Sequence, residues 1–165
     1  MHTAHHNQTP APWTRFLADE AATLAIGGAL GRALAPGLRV YLRGNLGAGK
    51  TTLVRGMLRG LGYVEKVKSP TYTLVELYKL SSLYLYHFDF YRFAHSAEWE
   101  DAGFREYFSD ASVCVVEWPE NAGDLLPAPD MIVTLQSEQE GRCIEVAAKT
   151  ENGRKCLERM TQDID

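Results

Sequence analysis

Gly44-Asn45-Leu46-Gly47-Ala48-Gly49-Lys50-Thr51 satisfies the pattern GxxxxGK[ST] at every fixed position. With a strand before it and a helix after it, such a segment turns successive backbone N–H groups into a concavity that fits phosphate oxygens. The positive end of the following helix adds to that attraction. Glycines keep Cβ atoms out of the approach. Lys50 is placed to bridge the β- and γ-phosphates of a nucleotide, and the Thr51 hydroxyl to ligate Mg²⁺. Upstream, Arg39-Val40-Tyr41-Leu42-Arg43 reads as a short strand running straight into the loop. Downstream, Leu53, Val54, Met57, Leu58 and Leu61 recur at helical spacing, and Gly62 ends the run. A glycine-rich turn that merely caps a helix is the plainer alternative.

The flanking sequence fills in an α/β fold. Residues 18–35 read as a helix with Asp19 as its N-cap and Pro36-Gly37 as its end. Gly27, Gly28 and Gly31 weaken that helix unless close packing, on a sheet, needs them. Tyr72 to Leu80 and Leu83 to Phe90 are two β-rich runs joined at Ser81-Ser82, an antiparallel hairpin. Within the second run Tyr84, Tyr86, Phe88 and Phe90 share one face, and Leu85, His87, Asp89 and Tyr91 the other. Residues 96–108 look helical, with Ser96 as a cap. Val113-Cys114-Val115-Val116 is a continuous apolar run, as expected of a parallel strand buried on both faces, and it ends in Glu117-Trp118-Pro119-Glu120. Met131 to Leu135 and Cys143 to Ala147 supply two further strands, and the segment from Glu151 onward a frayed helix. The expected architecture is a P-loop NTPase-like three-layer α/β fold. Its central sheet is mixed and mostly parallel with an antiparallel hairpin, and helices lie on its faces. The organisation expected is a disordered N-terminus over 1–12, one P-loop ATPase domain over 13–150 and a C-terminal tail over 151–165.

Composition narrows the function classes. In 165 residues, 17 basic and 21 acidic side chains leave a net charge of −4, which argues against nucleic-acid binding through a broadly basic surface. Cys114, Cys143 and Cys156 are odd in number and lack CxxC spacing, so neither a disulfide framework nor a zinc site is expected, and a reducing cytoplasm fits. No apolar run approaches the ~18 residues of a membrane span. The first twelve residues lack the pattern of a signal peptide. His2, His5 and His6 read as part of a polar fraying end rather than a metal site.

Four ordered motifs carry a more specific resemblance. Besides the loop through Thr52, they are Ser69-Pro70-Thr71-Tyr72-Thr73-Leu74-Val75-Glu76, His87-Phe88-Asp89-Phe90-Tyr91-Arg92, and Glu117-Trp118-Pro119-Glu120. Together with Leu17, Asp19, Glu20, Thr23, Leu24 and Gly27, they make the chain, from about Leu17 to Ala147, resemble the TsaE (YjeE) family. That family comprises bacterial ATPases needed to make threonylcarbamoyladenosine in tRNA. Phe90 stands where the family more often has Leu, and the first twelve residues match nothing.

The resemblance implies ATP and Mg²⁺ as cofactors. Asn45, Leu46, Gly47, Ala48 and Gly49 form the cradle, Lys50 and Thr51 keep their loop duties, and Thr52 supports the phosphates. Glu117 completes the Mg²⁺ shell. Ser69 to Thr73 forms a switch loop that senses the γ-phosphate through Thr71. Asp89 orients the attacking water or holds that switch, with Glu117 as the alternative for placing the water. Trp118 packs beside the site. Plain structural readings stand beside these: a solvated strand-end carboxylate for Glu117, an ion pair with Arg92 for Asp89, a β-residue after proline for Thr71, and core packing for Trp118. Arg92 and Arg105 are phosphate contacts or, more simply, surface ion pairs. Implied partners are TsaD and TsaB, with tRNA reached only through that complex, and slow intrinsic turnover that a partner raises. A nucleotide-gated switch with incidental hydrolysis is the main rival. A small-molecule kinase is a weaker one, since no arginine-rich lid follows the loop helix. No Asn-Lys-x-Asp stretch is present, so ATP is favoured over GTP.

Overall fold

A computed structural model describes residues 11–70, 73–93 and 103–164. The expected disorder over 1–12, apart from its last two residues, falls outside that set, as do Thr71 and the expected helix from residue 96 until its last part. There Phe104–Tyr107 forms a single 3₁₀ turn.

Ten elements follow in the order β1 (Trp13–Leu17), α1 (Glu20–Ala33), β2 (Arg39–Arg43), α2 (Lys50–Gly60), β3 (Val75–Lys79), β4 (Tyr84–Asp89), β5 (Ser112–Glu117), β6 (Met131–Glu138), β7 (Gly141–Ala148) and α3 (Glu151–Ile164). The seven strands form one sheet in the order β1-β7-β6-β2-β5-β4-β3. Its four central strands, β6, β2, β5 and β4, are parallel. β3, β7 and β1 add antiparallel edges. The antiparallel hairpin of β3 and β4 is as expected, closed by Leu80 N–H donating to Leu83 O at 3.0 Å. Strand β1 was not foreseen.

Alternation along the strands divides the core. Val40, Leu42, Leu85, Val113, Val115, Met131 and Val133 point to the face covered by α1, α2 and α3. Tyr41, Phe88, Phe90, Cys114 and Val116 point to the other, where an aromatic cluster forms: Phe88 stacks on Phe90 at 5.7 Å and on Phe108 at 5.2 Å between ring centroids. β5 is buried at every position, as its apolar run predicts.

Helix α1 begins where expected, with Asp19 Oδ1 accepting from Ala22 N–H at 2.8 Å. Its glycines serve a different contact from the one anticipated: they face helix α2, not the sheet. A Cβ on Gly31 would lie 2.1 Å from Met57 O, and one on Gly27 2.5 Å from Leu53 O. Gly56 and Gly60 return the contact against Leu24 O and Gly28 O. The two backbones thus touch without intervening side chains, and this seats α2, the helix that carries the loop lysine. The C-terminal segment also differs from expectation. Instead of fraying, α3 buries Cys156 and Met160 in the helix-covered core, and Arg159 donates through Nη2 to Ala33 O at 2.7 Å.

Gly31→Ala is therefore expected to destabilise the fold by about 3 kcal/mol, the upper range for overpacking. Gly28→Ala, whose Cβ meets the movable end of Arg32 closely and Gly56 O only at an ordinary 3.8 Å, stays within ~1 kcal/mol of the parent. Equal melting temperatures for the two variants would contradict the backbone contact.

Candidate functional site

Register decides what meets at the carboxyl end of the parallel strands. Leu42 pairs with Glu117, and Glu117 pairs with Asp89. The loop leaving β2 and the acidic ends of β5 and β4 thus emerge level, on one crevice, where ligands of open α/β sheets characteristically sit. All eight expected loop residues, Asn45 through Thr52, line a cavity of about 470 Å³ together with Asp89 and Glu117. Ser69, Tyr91, Arg92, Trp118 and Arg142 complete its wall.

The loop turns through a left-handed residue at its end: Gly49 has φ 104° and is the N-cap of α2. A side chain there would be strained. Ala48 N–H donates to Asn45 O at 3.1 Å, and Leu53 N–H to Gly49 O at 2.9 Å, so the turn passes directly into the helix. Leu46 is 65% exposed at its tip and contributes main chain, not packing. Lys50 folds inward and is 5% exposed. Its Nζ donates to Gly44 O, and to Asn45 O at 3.2 Å. Burial lowers the Lys50 pKa, with the negative charges of Glu117, Asp89 and Glu120 opposing that shift. Thr51 lies exposed in the first turn of the helix.

Trp118 packs beside the site. It sits in the left-handed region at φ 56°, which is costly for a large side chain. Its carbonyl accepts from Asn121 N–H at 3.1 Å. In that conformation its ring lies 4.4 Å from Lys50 Nζ and 5.2 Å from the Tyr91 ring, giving the ammonium an aromatic wall.

The two acids are held differently. Asp89 Oδ1 accepts from Tyr91 N–H at 2.9 Å, and Asn121 Nδ2 pins the same turn through Phe90 O at 2.9 Å. Burial raises the Asp89 pKa. The Tyr91 N–H bond opposes that rise, Glu117 adds to it, and His87 and Lys50 act against it. Glu117 is buried, and its Oε2 lies 2.6 Å from His87 Nε2.

Two residues of the site went unassigned in the sequence. His87 belongs to a quoted motif but carried no role there. Arg142, on β7, reaches across to the loop and donates through Nη2 to Gly47 O at 3.0 Å. Strand β7 lies far from the loop in the chain, and nothing in its local pattern marks that arginine. Arg105's side chain and Thr71 lie outside the described residues.

The donor set fits Mg²⁺. It offers a hydroxyl and carboxylate oxygens, all hard ligands. Among the described residues no group of three His, Cys, Asp or Glu side chains could hold a metal by itself.

A family model described as "Threonylcarbamoyl adenosine biosynthesis protein TsaE" matches residues 17–144. The chain belongs to the TsaE family. A Haemophilus influenzae relative, a tRNA threonylcarbamoyladenosine biosynthesis protein TsaE, is 42% identical over 149 residues, covering 87% of this chain and 94% of its own. The Treponema pallidum TsaE is 40% identical, with 70% and 84% covered. A crystal structure of Bacillus subtilis YdiB superposes with a TM-score of 0.82 at 27% identity, covering 96% of this chain and 99% of that one. The TsaE family takes part in tRNA threonylcarbamoyladenosine biosynthesis, and the match spans every site residue described above. No helix among the described residues is long and apolar enough to cross a membrane.

The raised Asp89 pKa has a signed consequence. Folding disfavours the charged form, so Asp89 subtracts stability once pH rises through its unfolded and then its folded pKa, and costs nothing where both states are protonated. Asp89→Asn, which still accepts from Tyr91 N–H, is expected to melt above the parent at pH 7, with the gap closing in the acid range below the ordinary carboxylate pKa. A lower melting temperature for the variant at pH 7 would contradict this.

Proposed function

We propose that this chain is a Mg²⁺-dependent ATP-binding protein and slow ATPase that supports threonylcarbamoyl transfer to the anticodon-adjacent adenosine of tRNA by acting on a TsaD–TsaB complex in the cytoplasm. The observation that carries this reading is the meeting of a complete phosphate loop with Asp89 and Glu117 across one cavity.

The loop amides from Asn45 to Thr52 hold the phosphate chain, and the helix α2 dipole adds to them. Lys50 leaves its loop carbonyls to bridge the β- and γ-phosphates, and the Trp118 ring limits where its ammonium can go. Thr51 and Glu117 would hold Mg²⁺, directly or through water, and the ion would supply neutralisation of phosphate charge. Asp89, kept at the cavity wall by Tyr91 N–H, orients the attacking water. A second cavity of about 180 Å³, lined by Leu17, Asp19, Glu20 and Thr23, shares Gly49, Thr52 and Arg142 with the first.

Hydrolysis of this kind is accelerated by positioning and charge compensation more than by covalent chemistry. Arg142 is committed to Gly47 O, so we assign slow turnover to the isolated chain and a faster rate to the assembly with TsaD–TsaB. ATP binding and hydrolysis would reset that assembly between transfers. No part of the transfer is assigned to this chain.

Lys50→Ala is expected to lower affinity for ATP by about 10²-fold in a calorimetric titration; an unchanged titration would remove the loop from nucleotide binding. Glu117→Ala is expected to weaken the Mg²⁺ dependence of that binding, and an unaltered metal titration would take the residue out of the shell. Depletion of the chain should empty bulk tRNA of threonylcarbamoyladenosine, measured by nucleoside mass spectrometry, and only a Lys50-intact copy should restore it. Adding TsaD–TsaB should raise the steady-state ATPase rate. An identical rate would favour the nucleotide-gated switch.

A further inference from the structure

We infer that His87 is a positioning residue for the metal site: its Nε2–H holds one oxygen of Glu117 so that the other is presented to Mg²⁺. This rests on the proposed function, in which Glu117 belongs to the metal shell.

His87 occupies an interior position of β4, is 1% exposed, and pairs in register with Val115 on one side and Glu76 on the other. Glu117 follows Val115 by two residues, so the two side chains share the helix-covered face and meet diagonally. The 2.6 Å contact joins His87 Nε2 to Glu117 Oε2. A carboxylate oxygen can only accept, so Nε2 carries the proton of this bond. The other ring nitrogen, Nδ1, is buried and finds no hydrogen-bond partner. All the polar bonding shown for this imidazole therefore goes to one carboxylate. Burying a ring with one nitrogen unsatisfied costs more than burying an apolar side chain in the same place, where Leu85 and Val115 already pack. Core packing alone does not account for that choice.

The bond has a definite effect on Glu117. This carboxylate closes a strand buried along its whole length and lines the cavity shared with Thr51. With Oε2 tied back into the sheet, the plane of the group is fixed and Oε1 is the oxygen left for the cavity. A ligating carboxylate held by such an outer partner presents a fixed lone pair, and removing outer partners of metal ligands characteristically weakens metal affinity by ~10–100-fold. His87 touches neither nucleotide nor metal and acts only through Glu117.

The test measures binding of an unhydrolysable ATP analogue by calorimetry, first in EDTA and then across a Mg²⁺ series, with melting curves as a check on folding. His87→Phe keeps an aromatic ring but removes the donor. It should raise the Mg²⁺ needed for half-maximal binding by ~10–100-fold and leave affinity in EDTA within about twofold of the parent. His87→Gln, whose amide nitrogen reaches out about as far as Nε2, should stay within about threefold on the same metal scale. His87→Asn, whose amide stops short of that point, should resemble His87→Phe. In a Glu117→Gln background, His87→Phe should add no further loss. The inference is overturned if His87→Phe keeps the parent Mg²⁺ requirement, if His87→Gln loses as much as His87→Phe, or if affinity in EDTA falls equally. It is also overturned if the two substitutions lose metal affinity independently. Should His87→Phe fail to fold, the contrast between Gln and Asn decides the matter alone. A parent protein whose binding ignores Mg²⁺ would instead sink the metal reading itself, an outcome visible before any variant is made.

Discussion

The site depends on a register. β2, β5 and β4 run parallel, with Leu42 beside Glu117 and Glu117 beside Asp89. A shift of one residue would turn each acid to the opposite face of the sheet. Loop and carboxylates would then no longer share a cavity. That register is enforced by burial: β5 is inaccessible along its whole length, and its alternating residues feed two separate cores. Sliding β5 by one residue would push Val113 and Val115 into the aromatic cluster and Cys114 and Val116 towards the helices. Hydrophobic packing, which is itself indifferent to chemistry, thereby fixes the distance between phosphate loop and acids.

A second constraint sets the depth of the loop. Because Gly27 and Gly31 let α1 rest directly on the backbone of α2, the loop helix has no room to slide away from the sheet. Its first residue is Lys50, so the helix–helix contact and the position of the ammonium are mechanically one feature. The charges around Lys50 then oppose one another in a useful way. Burial disfavours its charged form, while Glu117, Asp89 and Glu120 favour it. Its Nζ meanwhile donates to the neutral carbonyls of Gly44 and Asn45 rather than to any of those acids.

Much of this was legible in the sequence, for reasons that differ by element. The strand before the loop and the helix after it were marked by short-range signals, a five-residue apolar-rich run and a 3.6-residue stripe, and the structure places both within a residue of expectation. The apolar run at Val113 announced a central strand because burial on both faces leaves no polar alternation. Edge strand β1 escaped, since three of its five residues are exposed and its short run has little periodicity. Helix α3 was undervalued because its polar majority hid the spacing of Gly153, Cys156 and Met160, which only a partner surface makes meaningful. Within the site, the loop residues and both acids were found through local pattern and resemblance. Arg142 and the role of His87 were not, because each acts through a contact between segments distant in the chain. Such contacts are a property of topology, and sequence neighbours carry no trace of them.

The central claim is that the amides from Asn45 to Thr52, backed by Lys50, Thr51 and Glu117, grip a triphosphate with its metal. The most direct measurement is a crystal structure grown with Mg²⁺ and an unhydrolysable ATP analogue. The account predicts phosphate density inside the loop, Lys50 Nζ moved from Gly44 O to a phosphate oxygen, and a metal between Thr51 and Glu117. A loop left empty, or a nucleotide bound elsewhere on the sheet, would contradict it.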